Sequence, residues 1–461
     1  MITQNHKDKG SFRDPAANVY IYEDKIYRLV NPDGFDRYDF IKNNILDNKL
    51  FEKFIIDTSI VSSNDLIFET FKKNKIKIFE HKKLDYITYP YEWSFERLKD
   101  AAIHHLEFQI LLLEQNASLI DGSSYNIQFD YYKPKFIDIM SIKKYEDGEF
   151  WFGHKQFYDT FLNPLILKSK TGIDYNNLFK ANLEGIENNI LNKILSFHHK
   201  FSWNIFYHVV LLNLLNKNSR NKKNFDIRKK KLSKKNYFFI LKNLVHFIEK
   251  LSSKKQVSTW QNYSLENTYE ISEKNKKIKF LEIHYKNKKN LHILDIGCNN
   301  GEYSKIPLKS NNVVGLDSDL NTIDQAYLYS RSNKLNFLPL YFDATNPTPS
   351  LGWNLKERKN FSERTNFDEV IALAFIHHMV IGKNIPLEEA ISWICSFGKE
   401  GVIEFVPKSD PTVLKMMQIK KDIFRDYNFE NFLKILTVNN TIIKQEKITN
   451  SGRFLVSFKR N

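Results

Sequence analysis

Asp295, Gly297 and Gly301 lie in the run LHILDIGCNNG, where an apolar stretch ends in an acid and two glycines follow. Glycine permits a tight turn and lets the main chain approach a ligand at the carboxyl end of a strand. The spacing is G-x-x-x-G and not the G-x-G-x-x-G of dinucleotide binders, so a pyrophosphate is not the expected ligand. Roughly 20 residues after the glycine turn, a second apolar stretch, NVVGLDSD, ends in Asp317, where a carboxylate can accept hydrogen bonds from both hydroxyls of a ribose. A third, NFLPLYFD, ends in Asp343, placed to accept from an adenine amino group. A fourth, FDEVIALAFIHHM, carries Asp368 at its start and His377 and His378 at its end, and a fifth, GVIEFVPK, ends near Glu404. A glycine loop with a downstream acid arises readily by chance. Four polar groups at successive strand ends, in this order, do not.

The elements that must position these residues run strand, glycine loop, helix, strand, helix, strand from Leu291 onward, the alternation of a parallel α/β sheet. In this pattern the chain resembles the class I S-adenosylmethionine-dependent methyltransferase family, from about Trp260 to Asn461. The resemblance implies a Rossmann-like, mostly parallel sheet of seven strands with helices on both faces and a final β-hairpin. TIIKQEKI and GRFLVSFKR suit that hairpin, with Asn450-Ser451-Gly452 as the turn. It also implies S-adenosyl-L-methionine as cofactor. The loop of Asp295, Gly297, Cys298, Asn299 and Gly301 would lie along its methionine part and ribose. Asp317 would hold the ribose and Asp343 would lie beside the adenine, with Ser318, Ala344 and Ala374 as further cofactor-binding residues.

SFRDP, YPYEWSFERLKDAA, SSYNIQF, the HHM-x-I-G-K-N-I-P-L block and IEFVPKSDP followed by KKDIFRDY are similar to blocks of the bacterial nodulation-protein-like family of methyltransferases. This second resemblance spans nearly the whole chain and matches Trp260, Tyr263, Asn267, Tyr269, His377, His378, Glu404, Lys408 and Asp410. Tyr263, Asn267 and Tyr269 precede the first strand of the sheet, where a substrate- or cofactor-covering segment is expected, or else an aromatic packing cluster. A sulfonium methyl is already electrophilic, so the protein mainly aligns an acceptor with it. For a hydroxyl acceptor a general base helps, and His377 or His378 is the candidate, unless one imidazole packs structurally while the other caps a helix or contacts the cofactor. Glu404 is a further catalytic candidate, its alternative a salt bridge to a surface lysine.

In the front half, Asp121 to Asn126 forms D-x-x-x-x-N, preceded by a helical stretch from Trp93 to about Asn116 and followed by a strand pair reaching Asp138. That order resembles the protein-kinase and aminoglycoside-phosphotransferase fold. By that match Asp121 would orient an acceptor hydroxyl, and Asn126 and Asp138 would hold magnesium. The chain departs from the pattern: Leu119 replaces the expected His, no glycine-rich loop precedes the hairpin VYIYEDKIYRLV, and Arg28 stands in for the lysine. A degenerate kinase-like domain used for binding is therefore expected over an active phosphotransferase. The alternative is structural, with Asp121 and Asn126 as turn residues and Asp138 as a cap.

A chain of 461 residues exceeds a single core. The expected domains are an α+β domain over 11–185, a helical and basic linker over 186–255, and the methyltransferase domain over 256–461. The net charge of +15 comes with abundant Asn and Ile along the whole chain and reads as solvated lysines more than a nucleic-acid face. The basic run Arg220 to Lys235 has Phe225 as its one aromatic, too few for base stacking. Cys298 and Cys395 allow neither a disulfide framework nor a zinc quartet, and no metal is expected. The start lacks a signal-peptide core, and the apolar runs fall short of the roughly 20 residues a membrane span needs. A cytoplasmic protein follows, with peripheral membrane contact left open and no signal for an oligomeric state. The leading expectation is methyl transfer to a hydroxyl or carbon of a small molecule, glycan or lipid-linked intermediate, with the front domain selecting the acceptor. An ATP-dependent phosphotransferase and an RNA methyltransferase are the alternatives. The chain lacks the Asn/Asp-Pro-Pro-aromatic tetrapeptide of amino-group methylating enzymes.

Overall fold

The computed structural model describes residues 6–62, 65, 71, 76–214, 231–254, 271–418 and 422–461. The chain divides into two compact units, Met1–Gln256 with Ser350–Lys359, and Val257–Pro349 with Asn360–Asn461.

In the first unit the alternating run after Ala16 folds as predicted into a hairpin of β1 (Ala17–Tyr22) and β2 (Lys25–Val30). Tyr22 faces Lys25, which leaves Glu23 and Asp24 as the turn, with Glu23 at φ 52°. β3 (Thr58–Ile60) and β4 (Lys77–Lys82) extend it to a four-stranded sheet in the order β1-β2-β4-β3. The helix expected from Trp93 spans Phe95–Glu114 (α1) and buries Leu98, Ala102, Leu106 and Leu113 on one face, the spacing that marked it in the sequence. β5 (Ala117–Leu119) pairs with β8 (Ile142–Lys144), and between them β6 (Ile127–Asp130) and β7 (Lys133–Phe136) form a second hairpin. Residues 186–214 and 231–254, predicted as a linker, are part of this unit. They include α2 (Asn188–Ile194) and α3 (Lys234–Glu249), and α3 packs along α1. Lys99 Nζ fastens the end of α3 by donating to the carbonyls of Glu249 and Leu251, both at 2.8 Å. Arg220–Lys230 of the basic run lies outside the described residues.

In the second unit α4 (Ile271–Tyr285) leads to β9 (His292–Ile296), β10 (Asn312–Asp317), α5 (Leu320–Asn333), β11 (Phe337–Tyr341) and β12 (Glu369–Ala372). α6 (Leu387–Cys395), β13 (Glu400–Phe405), α7 (Phe429–Leu436), β14 (Asn440–Lys447) and β15 (Phe454–Arg460) complete it. The seven strands lie in the order β11-β10-β9-β12-β13-β15-β14. β9 to β13 are mutually parallel, and β15 enters antiparallel between β13 and β14. All four residues of β12 are buried, as a parallel strand covered on both faces requires. The turn before β15 places Gly452 at φ 98°, a conformation that suits glycine. The chain runs from β9 outward to β10 and β11, then returns to β12 on the other side of β9. The sheet thus has a switch point beside β9, where open α/β sheets bind ligands. Between β11 and β12 the chain gives Ser350–Lys359 to the first unit, where Glu357 pairs with Arg13 at 2.6 Å and Lys359 N donates to Tyr89 Oη at 2.7 Å.

Candidate active site

A cavity of about 370 Å³ opens at the carboxyl ends of β9, β10, β11 and β12. Among its lining residues are Gly297, Asn299, Asp317, Ser318, Asp343, Ala344 and Ala374, all singled out in the sequence. The loop after β9 closes back on β10: Gly297 N donates to Leu316 O at 2.8 Å, and Asn299 N to Asp317 Oδ2 at 2.9 Å. Asp319 N donates to the other oxygen, Oδ1, also at 2.9 Å. Both carboxylate oxygens of Asp317 are thus held by main-chain N–H groups, and the carboxylate keeps lone-pair capacity for a further donor. Burial raises the Asp317 carboxyl to about 6, while those main-chain bonds pull it down. Asp343 Oδ1 accepts from Thr345 N and Oγ1 at 2.9 and 2.7 Å, which fixes its carboxylate at the rim. Asn299 at φ 50° and Ala374 at φ 48° hold strained backbone on the cavity wall, the kind of strain that collects at functional sites.

Asp295, Cys298 and Gly301 are not on that wall. Asp295 is buried, accepts from Ser304 Oγ at 2.6 Å and is raised by burial to about 6, so it fastens the loop from below. Cys298 fills space beside Gly315, and Gly301 is required because a Cβ there would sit 2.5 Å from the Phe337 ring. The sequence reading missed the apolar walls of Phe342, Leu373, Phe375 and Met379, and Lys383. Apolar residues near strand ends give no signal that separates wall from core.

His378 lines the cavity at the start of a π-helical turn, His378–Gly382. Burial lowers its pKa to about 4, so the imidazole is neutral at physiological pH and a weaker base than the sequence led one to expect. His377 points away from solvent, is fully buried, and has no hydrogen-bond partner on either ring nitrogen. It is absent from the cavity wall. Glu404 is likewise not there: its carboxylate is fully buried and bound by Lys277 Nζ at 2.5 Å and Arg453 Nη1 at 3.3 Å. Arg453 also grips Asp410 through Nε at 2.6 Å and Nη2 at 2.9 Å. Glu404, a catalytic candidate from the sequence, is instead the centre of a buried ion-pair network joining α4, β13 and the residue before β15, nearer the salt-bridge alternative, with a buried lysine in place of a surface one. Lys408 pairs with Asp422 at the surface. Tyr263, Asn267 and Tyr269, with Trp260, lie outside the described residues.

In the first unit Arg28 Nη1 donates to Asp138 Oδ1 at 2.8 Å. Burial raises the Asp138 carboxyl against the pull of Arg28, and the charges of Asp121 and Asp14 raise it further. Asn126 takes part in the same loop through main-chain bonds to Ser123 and Ile137. Its side-chain Nδ2 is buried without a partner. Among the described residues no group of three or more His, Cys, Asp or Glu side chains is arranged to hold a metal ion.

The sheet order and the terminal antiparallel hairpin define the second unit as a class I methyltransferase fold. The chain belongs to the family of the nodulation protein NoeA: it is 37% identical over 460 residues to NoeA of Rhizobium meliloti (strain 1021), covering 98% of this chain and 96% of that one. No family model matches the chain. Among solved structures, the N-methyltransferase NodS of Bradyrhizobium japonicum WM9 with S-adenosyl-L-homocysteine is 12% identical over 44% of this chain and 99% of its own, with a TM-score of 0.31. The magnesium protoporphyrin IX methyltransferase of Synechocystis PCC 6803 is 18% identical over 45% of this chain and 90% of its own, also at 0.31.

Proposed function

We propose that the second unit binds S-adenosyl-L-methionine and transfers its methyl group to a hydroxyl or carbon of a small molecule, glycan or lipid-linked intermediate. The observation that carries this reading is Asp317, held by main-chain N–H groups on both oxygens at the lip of a cavity at the sheet's switch point. Its remaining lone pairs suit the two hydroxyls of a ribose. Asp343 at the next strand end suits an adenine amino group, with Phe342 and Leu373 as apolar walls that exclude water. When bound, the cofactor supplies an electrophilic methyl on sulfur. The protein's part is then alignment and desolvation. His378, neutral on the wall, can take the proton of an acceptor hydroxyl on a ring nitrogen, and its low pKa makes that assistance modest. The first unit selects the acceptor. Two buried free cysteines agree with a reducing, cytoplasmic setting.

A second reading, nucleotide binding by the first unit, is favoured by the Arg28–Asp138 ion pair. It joins the residue that stands in for the expected lysine to the acid that the phosphotransferase resemblance assigned to magnesium. Calorimetric titration with magnesium ATP, repeated on Asp138→Ala, tests it, and absence of binding by the wild type would end it.

The test of the first reading is calorimetric titration with S-adenosylmethionine on wild type and Asp317→Ala. The expected loss is at least about tenfold in affinity, or about 1.4 kcal/mol. A folded wild type that binds no cofactor would overturn it.

A further inference from the structure

Between Glu187 and Asp226 the sequence contains no acidic residue, while lysine, arginine and histidine recur. The described part of this stretch contains α2, a 3-10 turn over Phe197–Phe201 and helical turns from Trp203 to Leu211. Its inner side is fixed in the first unit. Ile205 and Val209 are fully buried, Asn188 Nδ2 donates to Val209 O at 2.9 Å, and His208 Nδ1 meets Tyr158 Oη at 2.6 Å. The His208 ring also stacks on Phe247 with the two planes 7° apart.

The outer side is aromatic. Phe197, Phe201 and Trp203 are 77%, 73% and 77% exposed, and Phe206, Tyr207 and Ile194 are exposed beside them. The Phe197 and Phe201 rings meet edge to face at 4.8 Å, so these two exposed rings pack together. Lys193, His198, His199 and Lys200 are interleaved with them. An anchored turn that presents large apolar side chains to water marks an interaction surface.

We infer that this face of the first unit docks onto an anionic lipid surface. Tryptophan and phenylalanine settle at the headgroup boundary of a bilayer, and basic side chains around them are drawn to anionic lipid. A second copy of the chain is disfavoured, because a two-fold interface would set the same basic stretch, which carries no acid in sequence, against itself. A single-stranded nucleic acid would use the aromatics as stacking platforms, but aliphatic Ile194 has no such use and suits an acyl boundary. No helix among the described residues is long and apolar enough to cross a membrane, so the contact is peripheral. The inference stands apart from the methyl-transfer reading.

The test uses the full chain in co-sedimentation with vesicles of phosphatidylcholine alone and of phosphatidylcholine mixed with phosphatidylglycerol. Wild type is expected to sediment with the anionic vesicles and to be released by salt. A Phe201→Ser and Trp203→Ser double variant should partition about tenfold more weakly. A Lys193→Glu and Lys200→Glu variant should lose about fivefold or more per lysine. Both should keep the wild-type thermal unfolding curve, since the altered side chains are on the surface. Wild-type protein that ignores anionic vesicles, or double variants that bind as wild type does, would overturn the inference. So would light scattering that shows a dimer dissolved by the aromatic variant, or binding of a uridine oligonucleotide lost in the variants when vesicles are not bound.

Discussion

Lys277 Nζ lies 2.5 Å from Glu404 Oε2, and the two side chains are 2% and 0% exposed. An ion pair so deep survives only with further partners, because each charge loses its hydration. Arg453 supplies them, touching Glu404 and Asp410 together. Burial lowers the Lys277 ammonium, and Glu404 offsets that in part.

Arg453→Met should therefore destabilise the protein by about 3–5 kcal/mol, because it takes away the ion-pair partner of buried Asp410 and leaves Glu404 to Lys277. Urea denaturation followed by circular dichroism measures the change. A midpoint that does not move would mean that the network contributes nothing.

Cofactor affinity should depend on pH through Asp317. Its folded carboxyl, raised to about 6 from 3.8, holds a proton that an unfolded aspartate has already lost. Its contribution to stability of the empty protein therefore falls as pH rises from about 4 to about 6 and is constant above. Accepting from ribose hydroxyls needs the ionised form, so affinity should climb over the upper part of the same range and level off above it. Titrations between about pH 5 and 8 check this. Asp317→Asn should flatten the part of the slope that comes from this group.

Gly301→Ala places a Cβ 2.5 Å from the Phe337 ring at φ 78°. The expected loss is about 1–3 kcal/mol, with weaker cofactor binding because the loop after β9 must shift. Gly382→Ala is the comparison, since its Cβ would meet the flexible Met416 tip at 3.3 Å. Thermal melts should rank Gly301→Ala well below Gly382→Ala.

His377→Leu removes an imidazole whose two nitrogens are buried and unbonded. Stability should hold or rise by up to about 1 kcal/mol, since a leucine has no polar atom to desolvate. A clear loss in the denaturant midpoint would show that the ring has a partner it needs.

Much of the second unit was legible because parallel strands write themselves as apolar runs. The acids Asp317 and Asp343 fall at strand ends because the sheet's carboxyl edge faces the cavity. The long helix of the first unit was legible for the same kind of reason, its apolar residues recurring at helical spacing. The allotment of Ser350–Lys359 to the first unit was not. It depends on side chains such as Arg13 and Tyr89, hundreds of residues away in sequence.

The order of strand, glycine loop and acid thus determined the α/β architecture and the positions of Gly297, Asp317 and Asp343, because local pattern and strand polarity fix them. Only the tertiary structure decided that His378 and not His377 reaches the cavity, since adjacent residues in a turn point to different surroundings. Only it showed that Glu404 is consumed by Lys277 and Arg453, one from α4 before the sheet begins and the other from the last hairpin. A carboxylate's role follows from the charges that reach it, and those come from parts of the chain that the fold alone brings together.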